Sequence, residues 1–146
     1  MIELVATSII TLSSALLFLY WFRYTCLLIL SAKTTRDYAA DVATANQLSF
    51  PDVQTRLREQ SNADLGRLLA SLDRDYSVVK YLLDHASNPS KGSSSVENRM
   101  LAVNYRVMRM WFAVSRSRRA LEEMANVVAH FANAMGERAA LSASAA

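Results

Sequence analysis

The sequence predicts an all-α fold in which one N-terminal transmembrane helix precedes a long, coiled-coil-like antiparallel helical hairpin. Three observations support this class. An uncharged apolar stretch lies near the N-terminus, and the 146 residues contain only three glycines and two prolines, which leaves few turns for a multi-stranded sheet. In addition, apolar residues recur at heptad spacing through the C-terminal half.

The N-terminal part has the length and composition of a transmembrane helix. Residues 4–22 contain no charge, and the apolar sequence resumes after Arg23 and continues to residue 30. A helix of 27 residues is about 40 Å long, which exceeds the ~30 Å hydrocarbon core of a bilayer. A cleaved signal peptide is the alternative, but its shorter apolar core would follow basic residues, whereas Glu3 is the charged side chain here. We therefore expect residues 1–32 to be a retained, single-pass anchor.

The end of this helix has the residues of a membrane–water interface, where aromatic rings surround a snorkelling arginine. These residues are Tyr20, Trp21, Arg23 and Tyr24. Further basic residues, Lys33 and Arg36, follow the apolar stretch, and no lysine or arginine precedes it. The positive-inside rule therefore places the C-terminal part in the cytoplasm, which means the inner membrane if the protein is bacterial.

Three segments are expected after the anchor. Residues 33–51 would form a juxtamembrane helix that ends in a break, because a proline beside Asp52 marks the start of a new helix. Residues 52–138 would form the hairpin, with its loop in the serine-rich stretch 87–95. Residues 139–146, mostly alanine and serine, are expected to fray.

Two apolar seams in heptad phase define the predicted hairpin. A fold about the centre of the loop pairs Val79 with Val103 and Leu72 with Met110, so that apolar residues face each other along the pair. The seam of the first helix is Leu65, Leu69, Leu72, Tyr76, Val79, Leu83 and Ala86, and that of the second is Val96, Met100, Val103, Val107, Met110, Val114, Ser117, Leu121, Met124, Val128, Phe131 and Met135.

Six arginines and no carboxylate lie between Asn98 and Leu121. Such a basic face is typical of a surface that binds nucleic acid or anionic lipid. Within the predicted hairpin, however, several of these arginines would face aspartates of the first helix and form a salt-bridge ladder, worth about 0.2–1 kcal/mol per exposed pair. The ladder would join Asp84 to Arg99, Asp73 and Asp75 to Arg106 and Arg109, and Asp64 to Arg118, leaving Arg116 and Arg119 without a partner.

Two apolar stripes have no partner within the predicted hairpin. The first is Leu101, Tyr105, Met108 and Phe112 with Trp111 beside it, and the second is Leu121, Met124, Val128, Phe131 and Met135. A helix that is apolar on two faces must be buried on both, and large exposed apolar stripes mark association sites. The neighbour of the first stripe could be the helix that continues from the membrane, the membrane surface or another chain. We expect the second stripe to dock on another subunit or a second copy, unless residues 33–48 fold back to cover it.

The sequence indicates no catalytic, metal or cofactor site. The single cysteine, Cys26, excludes an internal disulfide, and two histidines far apart cannot complete a Cys/His metal cluster. Adjacent Glu122 and Glu123 project about 100° apart and cannot act as a carboxylate pair. His130 is a possible haem ligand, but it has no second ligand one helical turn away.

The function predicted from the sequence is that of a non-enzymatic, membrane-anchored accessory or scaffold subunit, whose partners are the membrane and other protein subunits or further copies of itself. One alternative is a membrane-tethered binder of nucleic acid or anionic lipid through the basic face. A weaker one is a cofactor-holding subunit that uses His130. Added salt distinguishes the first two, because it weakens phosphate binding steeply and an apolar interface little.

Overall fold

The computed structural model describes residues 1–32, 37–59, 64–85 and 92–145, and these residues form six helices and no strand. The all-α class and the apolar N-terminal helix are therefore confirmed. The chain divides into two compact units, Met1–Ala32 and Lys33–Ala146. The helices are α1 (Ile2–Ser31), α2 (Ala39–Asn46), α3 (Phe50–Arg58), α4 (Leu65–His85), α5 (Gly92–Ser115) and α6 (Arg118–Ala145).

Helix α1 is the whole of the first unit and is long and apolar enough to cross a membrane, with a mean hydropathy of 2.0. Most of its large apolar side chains are exposed, as in a helix that lipid surrounds, whereas Cys26 is fully buried. The hydroxyls of Thr7 and Thr11 donate to the carbonyl oxygens four residues before them, which satisfies them without a partner helix. At the other end of α1, the ring of Tyr24 stacks on Tyr20 and meets Trp21 edge-on.

Helix α6 is the centre of the second unit, because α2, α3, α4 and α5 all pack against it. Alanines alternate with larger apolar residues along α6, and both kinds are buried. Gly136 lies where α6 meets the start of α2, and a Cβ atom there would collide with the Cβ of Tyr38. A helix with four neighbours must be apolar on more than one face, which accounts for the many buried apolar residues along α6.

The first helix of the predicted hairpin is in fact two helices. Pro51 lies in the first turn of α3, as predicted, but α3 ends at Arg58 and α4 begins at Leu65. The aspartate at 75 explains how α3 is held: its carboxylate is fully buried and accepts a 2.7 Å hydrogen bond from the backbone N–H of Ser49, at the start of α3. Burial raises the pKa of Asp75. A buried polar residue on α4 therefore holds the start of α3, which also buries Phe50, Val53 and Leu57.

The second helix of the predicted hairpin is also divided. Helix α5 ends at Ser115 and α6 begins at Arg118, because Arg116 adopts the left-handed conformation with φ of 51°. This turn sends α6 back along α5, and α4 and α5 both pack on α6. The predicted register is not found: Val79 is fully buried, whereas Val103 is 49% and Met110 71% exposed. The antiparallel hairpin is not confirmed, since α6 offers both helices a larger apolar surface than they offer each other.

The segments around the hairpin also differ from the prediction. Helix α1 ends at Ser31 with Ala32 in an extended conformation, and the helix predicted over residues 33–51 is represented by the short α2 and the start of α3. The C-terminal residues predicted to fray continue α6 to Ala145. Helix α5 begins at Gly92, inside the predicted loop. The predictions for residues 33–36, 61, 86–91 and 146 lie outside the described residues.

Candidate docking surface

Both apolar stripes that the sequence assigned to a partner chain lie inside the second unit. The stripe on α5 faces α6, and the stripe on α6 is covered by its neighbours, among them α2 as in the fold-back alternative. The buried residues are Leu101, Tyr105, Met108 and Phe112 on α5, and Leu121, Met124, Val128 and Phe131 on α6, with Met135 half-buried. The premise that these stripes lack a cover within the chain is therefore wrong, and of the ten residues only Trp111 is exposed to a large extent, at 57%.

Most of the large apolar residues that are exposed in the described part of the second unit belong to the former hairpin seam of α5. We call it the outer stripe. The exposed fraction is 59% at Val96, falls to 39% at Val107, and then rises to 71% at Met110 and 84% at Val114. Met100 lies in the stripe but is half-buried. The outer stripe consists of Val96, Val103, Val107, Met110 and Val114, with Met100 between them and Trp111 at one edge.

The outer stripe has the form of a coiled-coil seam. Its members step along α5 by alternating fours and threes, and on a helix of about 100° per residue they occupy a band about 100° wide. The buried face, which includes Leu101, Met108 and Phe112, is centred about 140° away on the same wheel. Helix α5 can therefore pack on α6 through one face and still present a separate narrow seam to a second helix.

Two arginines follow one edge of the outer stripe. Arg99 and Arg106 are exposed, and neither forms an ion pair with a carboxylate of the described residues. Arg109, which lies outside the stripe, does form an ion pair. Its Nε donates to Asp73 at 2.9 Å, and the hydroxyl of Tyr105 donates to the other oxygen of Asp73 at 2.8 Å. The cationic edge of the stripe is thus not neutralised from within the described part of the chain.

Of the ion pairs in the predicted salt-bridge ladder, only the one between Asp73 and Arg109 is found among the described residues. Asp75 is occupied with Ser49, and Asp64 pairs at 3.9 Å with Arg67 on its own helix. Among the described residues, Asp84 forms no ion pair with Arg99. The rungs fail for the same reason as the apolar register, since α4 does not lie along the seam of α5.

The turn at Arg116 also divides the predicted basic face. Arg106 and Arg109 lie on α5, whereas Arg118 and Arg119 begin α6. The guanidinium of Arg116 lies 5.8 Å from the centroid of the Phe112 ring, within range of a cation–π contact. A shallow cleft of about 350 Å³ is lined by Arg118 with Leu57, Arg58 and Glu122. The arginines therefore do not form one continuous surface.

The titratable groups of the interior serve packing. Tyr105 stacks face to face on Tyr76, and burial raises the pKa of both phenols, so that both stay protonated at neutral pH. Burial also lowers the pKa of His130, which is half-buried beside Phe131. In the described ranges no three His, Cys, Asp or Glu side chains are grouped as a metal site would require.

The sequence contained a signal that distinguishes the two faces of α5. Val, Met and Ala supply most of the outer face, whereas Leu101, Tyr105 and Phe112 on the inner face offer more apolar area per residue. Larger apolar and aromatic side chains gain more from burial, so they take the face against the central helix. Heptad regularity alone predicts burial of the outer face, whereas side-chain size predicts burial of the inner face.

Compared with known proteins, the chain matches no family model, no curated protein and no solved structure.

Proposed function

We propose that the protein is a non-enzymatic, single-pass membrane protein that acts as an accessory or scaffold subunit of a membrane assembly. Helix α1 is its anchor, and the second unit lies in the cytoplasm. The observation that supports this function best is the outer stripe on α5, an apolar seam on the surface of a unit whose other apolar stripes are buried.

The energetics of the outer stripe favour a macromolecular partner. Complete burial of one Val or Met side chain is worth about 1.5–3 kcal/mol relative to its exposure. Five such residues stand exposed in a row on α5. Soluble surfaces rarely keep contiguous apolar patches of this kind unless something binds there. Docking a helix or another apolar surface on the stripe would recover several kcal/mol, which favours association.

The polar interior supports a structural rather than a catalytic role. Asn104 donates to the carboxylate of Glu123 at 3.1 Å, and Asn133 accepts from the backbone N–H of Tyr38 at 2.7 Å. With Asp75, these are the buried polar side chains of the described core, and each one holds a neighbouring helix. Buried polar groups that are used in this way give a helical unit a fixed arrangement in which to display a surface.

A second candidate function is binding of anionic lipid or nucleic acid. Arg99 and Arg106 support it, because both lie beside the apolar outer stripe without a carboxylate in the described residues. A helix with an apolar face and basic edges is also the form of an interfacial membrane helix. Attraction to phosphates would weaken steeply between low and high salt, which separates this function from an apolar protein interface.

The size of the detergent-solubilised protein tests the scaffold function. Wild-type protein in mild detergent should elute as an assembly larger than one chain, at both low and high salt. The double substitution Val107→Glu with Met110→Glu places charges in the stripe and should reduce the assembly to single chains with unchanged circular dichroism. Leu141→Glu is the matched control, because Leu141 is 58% exposed but lies near the end of α6.

Two results would contradict the function. Elution of the wild-type protein as a single chain under all these conditions would contradict the proposed assembly. Recovery of the protein in the aqueous fraction after alkaline extraction, or a mature N-terminus beyond Ser31, would contradict the proposal that α1 is a membrane anchor.

A further inference from the structure

We infer that the outer stripe of α5 binds the outer stripe of a second copy of this chain, in a parallel two-stranded coiled coil. This inference rests on the proposed function, because it names the protein that covers the stripe. It is carried by the spacing of the stripe, by the residues at its two edges and by the separation of the stripe from the face that packs on α6.

The heptad positions of the stripe are suited to a two-stranded pairing. Met100, Val107 and Val114 occupy position a, and Val96, Val103 and Met110 occupy position d, in standard heptad notation. Val107 and Val114 are the β-branched residues that two-stranded parallel coiled coils favour at position a, whereas position d holds Val and Met in place of the favoured Leu. Because the band is only about 100° wide, it can contact one further helix, and a broad membrane or multi-helix contact would need more apolar surface.

The edges of the stripe are complementary in the parallel arrangement. Arg106 at position g would lie opposite Trp111 of the second copy at position e, so that a guanidinium meets an exposed indole. Arg106, which forms no ion pair with a carboxylate of the described residues, thus gains a favourable neighbour.

The antiparallel arrangement lacks this complementarity. When the two stripes lie side by side in opposite directions, position g of one helix faces position g of the other. Arg106 would then lie against Arg106 of the second copy, and two like charges would be held together beside an apolar seam. The charges along the edge therefore select the parallel orientation.

Anchoring strengthens the association that such a short seam can give. The stripe spans 19 residues from Val96 to Val114, fewer than three heptads. A seam of this length binds weakly between chains in free solution. Two copies held in the same membrane meet at a high effective concentration, which converts a weak contact into a populated dimer.

Single cysteines at the two ends of the stripe test both the partner and the orientation. Cys26→Ser removes the native thiol. In that background Val96→Cys and Val114→Cys, each expressed alone and oxidised mildly in native membranes, should both form disulfide-linked dimers, because identical core positions face each other in a parallel pair. Leu141→Cys is the control with similar exposure, and it should remain monomeric.

The edge contact has its own test. In the Val114→Cys background, Arg106→Gln should lower the rate of dimer formation by about threefold, the effect expected from losing a cation–π contact at an exposed site. Arg119→Gln is the matched control, since it removes an exposed arginine of α6 and should leave the rate unchanged.

Three outcomes would overturn the inference. Cross-links that form only between Val96→Cys on one copy and Val114→Cys on a differently tagged copy would show an antiparallel pair. Cross-links to a different protein, with none between copies, would end the self-association and leave the scaffold function intact. Quenching of Trp111 by lipid-attached quenchers in a Trp21→Phe background, without any protein cross-link, would assign the stripe to the membrane surface and contradict both proposals.

Discussion

The rings of Tyr76 and Tyr105 lie face to face, with their centroids 3.9 Å apart and their planes within 4°. This stack joins α4 to α5 beside the central helix, and the ring of Phe131 on α6 lies 6.0 Å from Tyr76. The hydroxyl of Tyr105 continues the contact by donating to Asp73. The two outer helices of the core thus meet through long side chains and not through the seam that the sequence suggested.

The first prediction separates the stacking of Tyr105 from its hydrogen bond. Tyr105→Phe keeps the ring and should lower the free energy of unfolding by about 1–2 kcal/mol, because a carboxylate loses a hydrogen bond. Tyr105→Ala removes the ring as well and should cost about 3–5 kcal/mol, the range for aromatic truncation in a core. Thermal or urea unfolding of the purified protein in detergent measures both values. Equal losses for the two variants would show that the stack contributes nothing.

The second prediction concerns the close approach of α6 to the start of α2. Gly136→Ala should destabilise the protein by about 1–3 kcal/mol, because the new Cβ collides with Tyr38 and forces the helices apart. Gly66→Ala in the first turn of α4 is the matched control. Its Cβ would meet only the exposed carboxylate of Asp64, and the gain in helix propensity should leave the protein unchanged or more stable. The same sign for both substitutions would contradict the packing described at Gly136.

The third prediction tests the turn between α5 and α6. Arg116 holds a left-handed backbone with φ of 51°, a conformation that glycine adopts without strain. Arg116→Gly should raise the free energy of unfolding by up to about 1 kcal/mol, less the contact with the Phe112 ring. Arg116→Pro should instead lower it by about 3 kcal/mol, because proline cannot adopt a positive φ. If both variants were destabilised equally, α5 and α6 would not be joined by this turn.

The fourth prediction is a pH dependence at His130. Burial lowers the pKa of His130 in the folded protein below its usual 6.5, while Glu97 opposes the shift. Below pH 6.5 the unfolded chain therefore binds a proton that the folded protein does not, and folding stability falls as the pH drops through this range. Unfolding at pH 7.5 and 5.5 should show a larger loss for the wild type than for His130→Gln. A loss of the same size in the variant would assign the pH dependence to other groups.

The sequence predicted the all-α class and the apolar N-terminal helix well because these depend on local composition. The uncharged stretch of α1 and the proline at the start of α3 act within one or two helical turns, so each could be recognised without the fold. The positions of the helices relative to one another depended on the turn at Arg116. Neither Gly nor Pro marks this turn, and an arginine with positive φ has no signature in a single sequence.

Because the turn at Arg116 was not recognised in the sequence, the wrong apolar stripes were assigned to the protein surface. If α5 and α6 formed one uninterrupted helix, as predicted, the outer stripe of α5 would lie in the core of the hairpin and the stripe on α6 would have no cover. Once α6 folds back on α5, the two assignments exchange: Leu121 and Phe131 are interior, and Val103 and Met110 are at the surface. The prediction that an apolar stripe remains for a partner stays a prediction, now at a different face.

The central claim, that the outer stripe meets another protein chain in the membrane, is tested most directly by site-specific photo-cross-linking. A photoreactive amino acid at Val107, in the middle of the stripe, should form a discrete protein–protein product after illumination of intact membranes, and the same group at Leu141 should not. Products that contain only lipid, or no product at Val107, would contradict the claim.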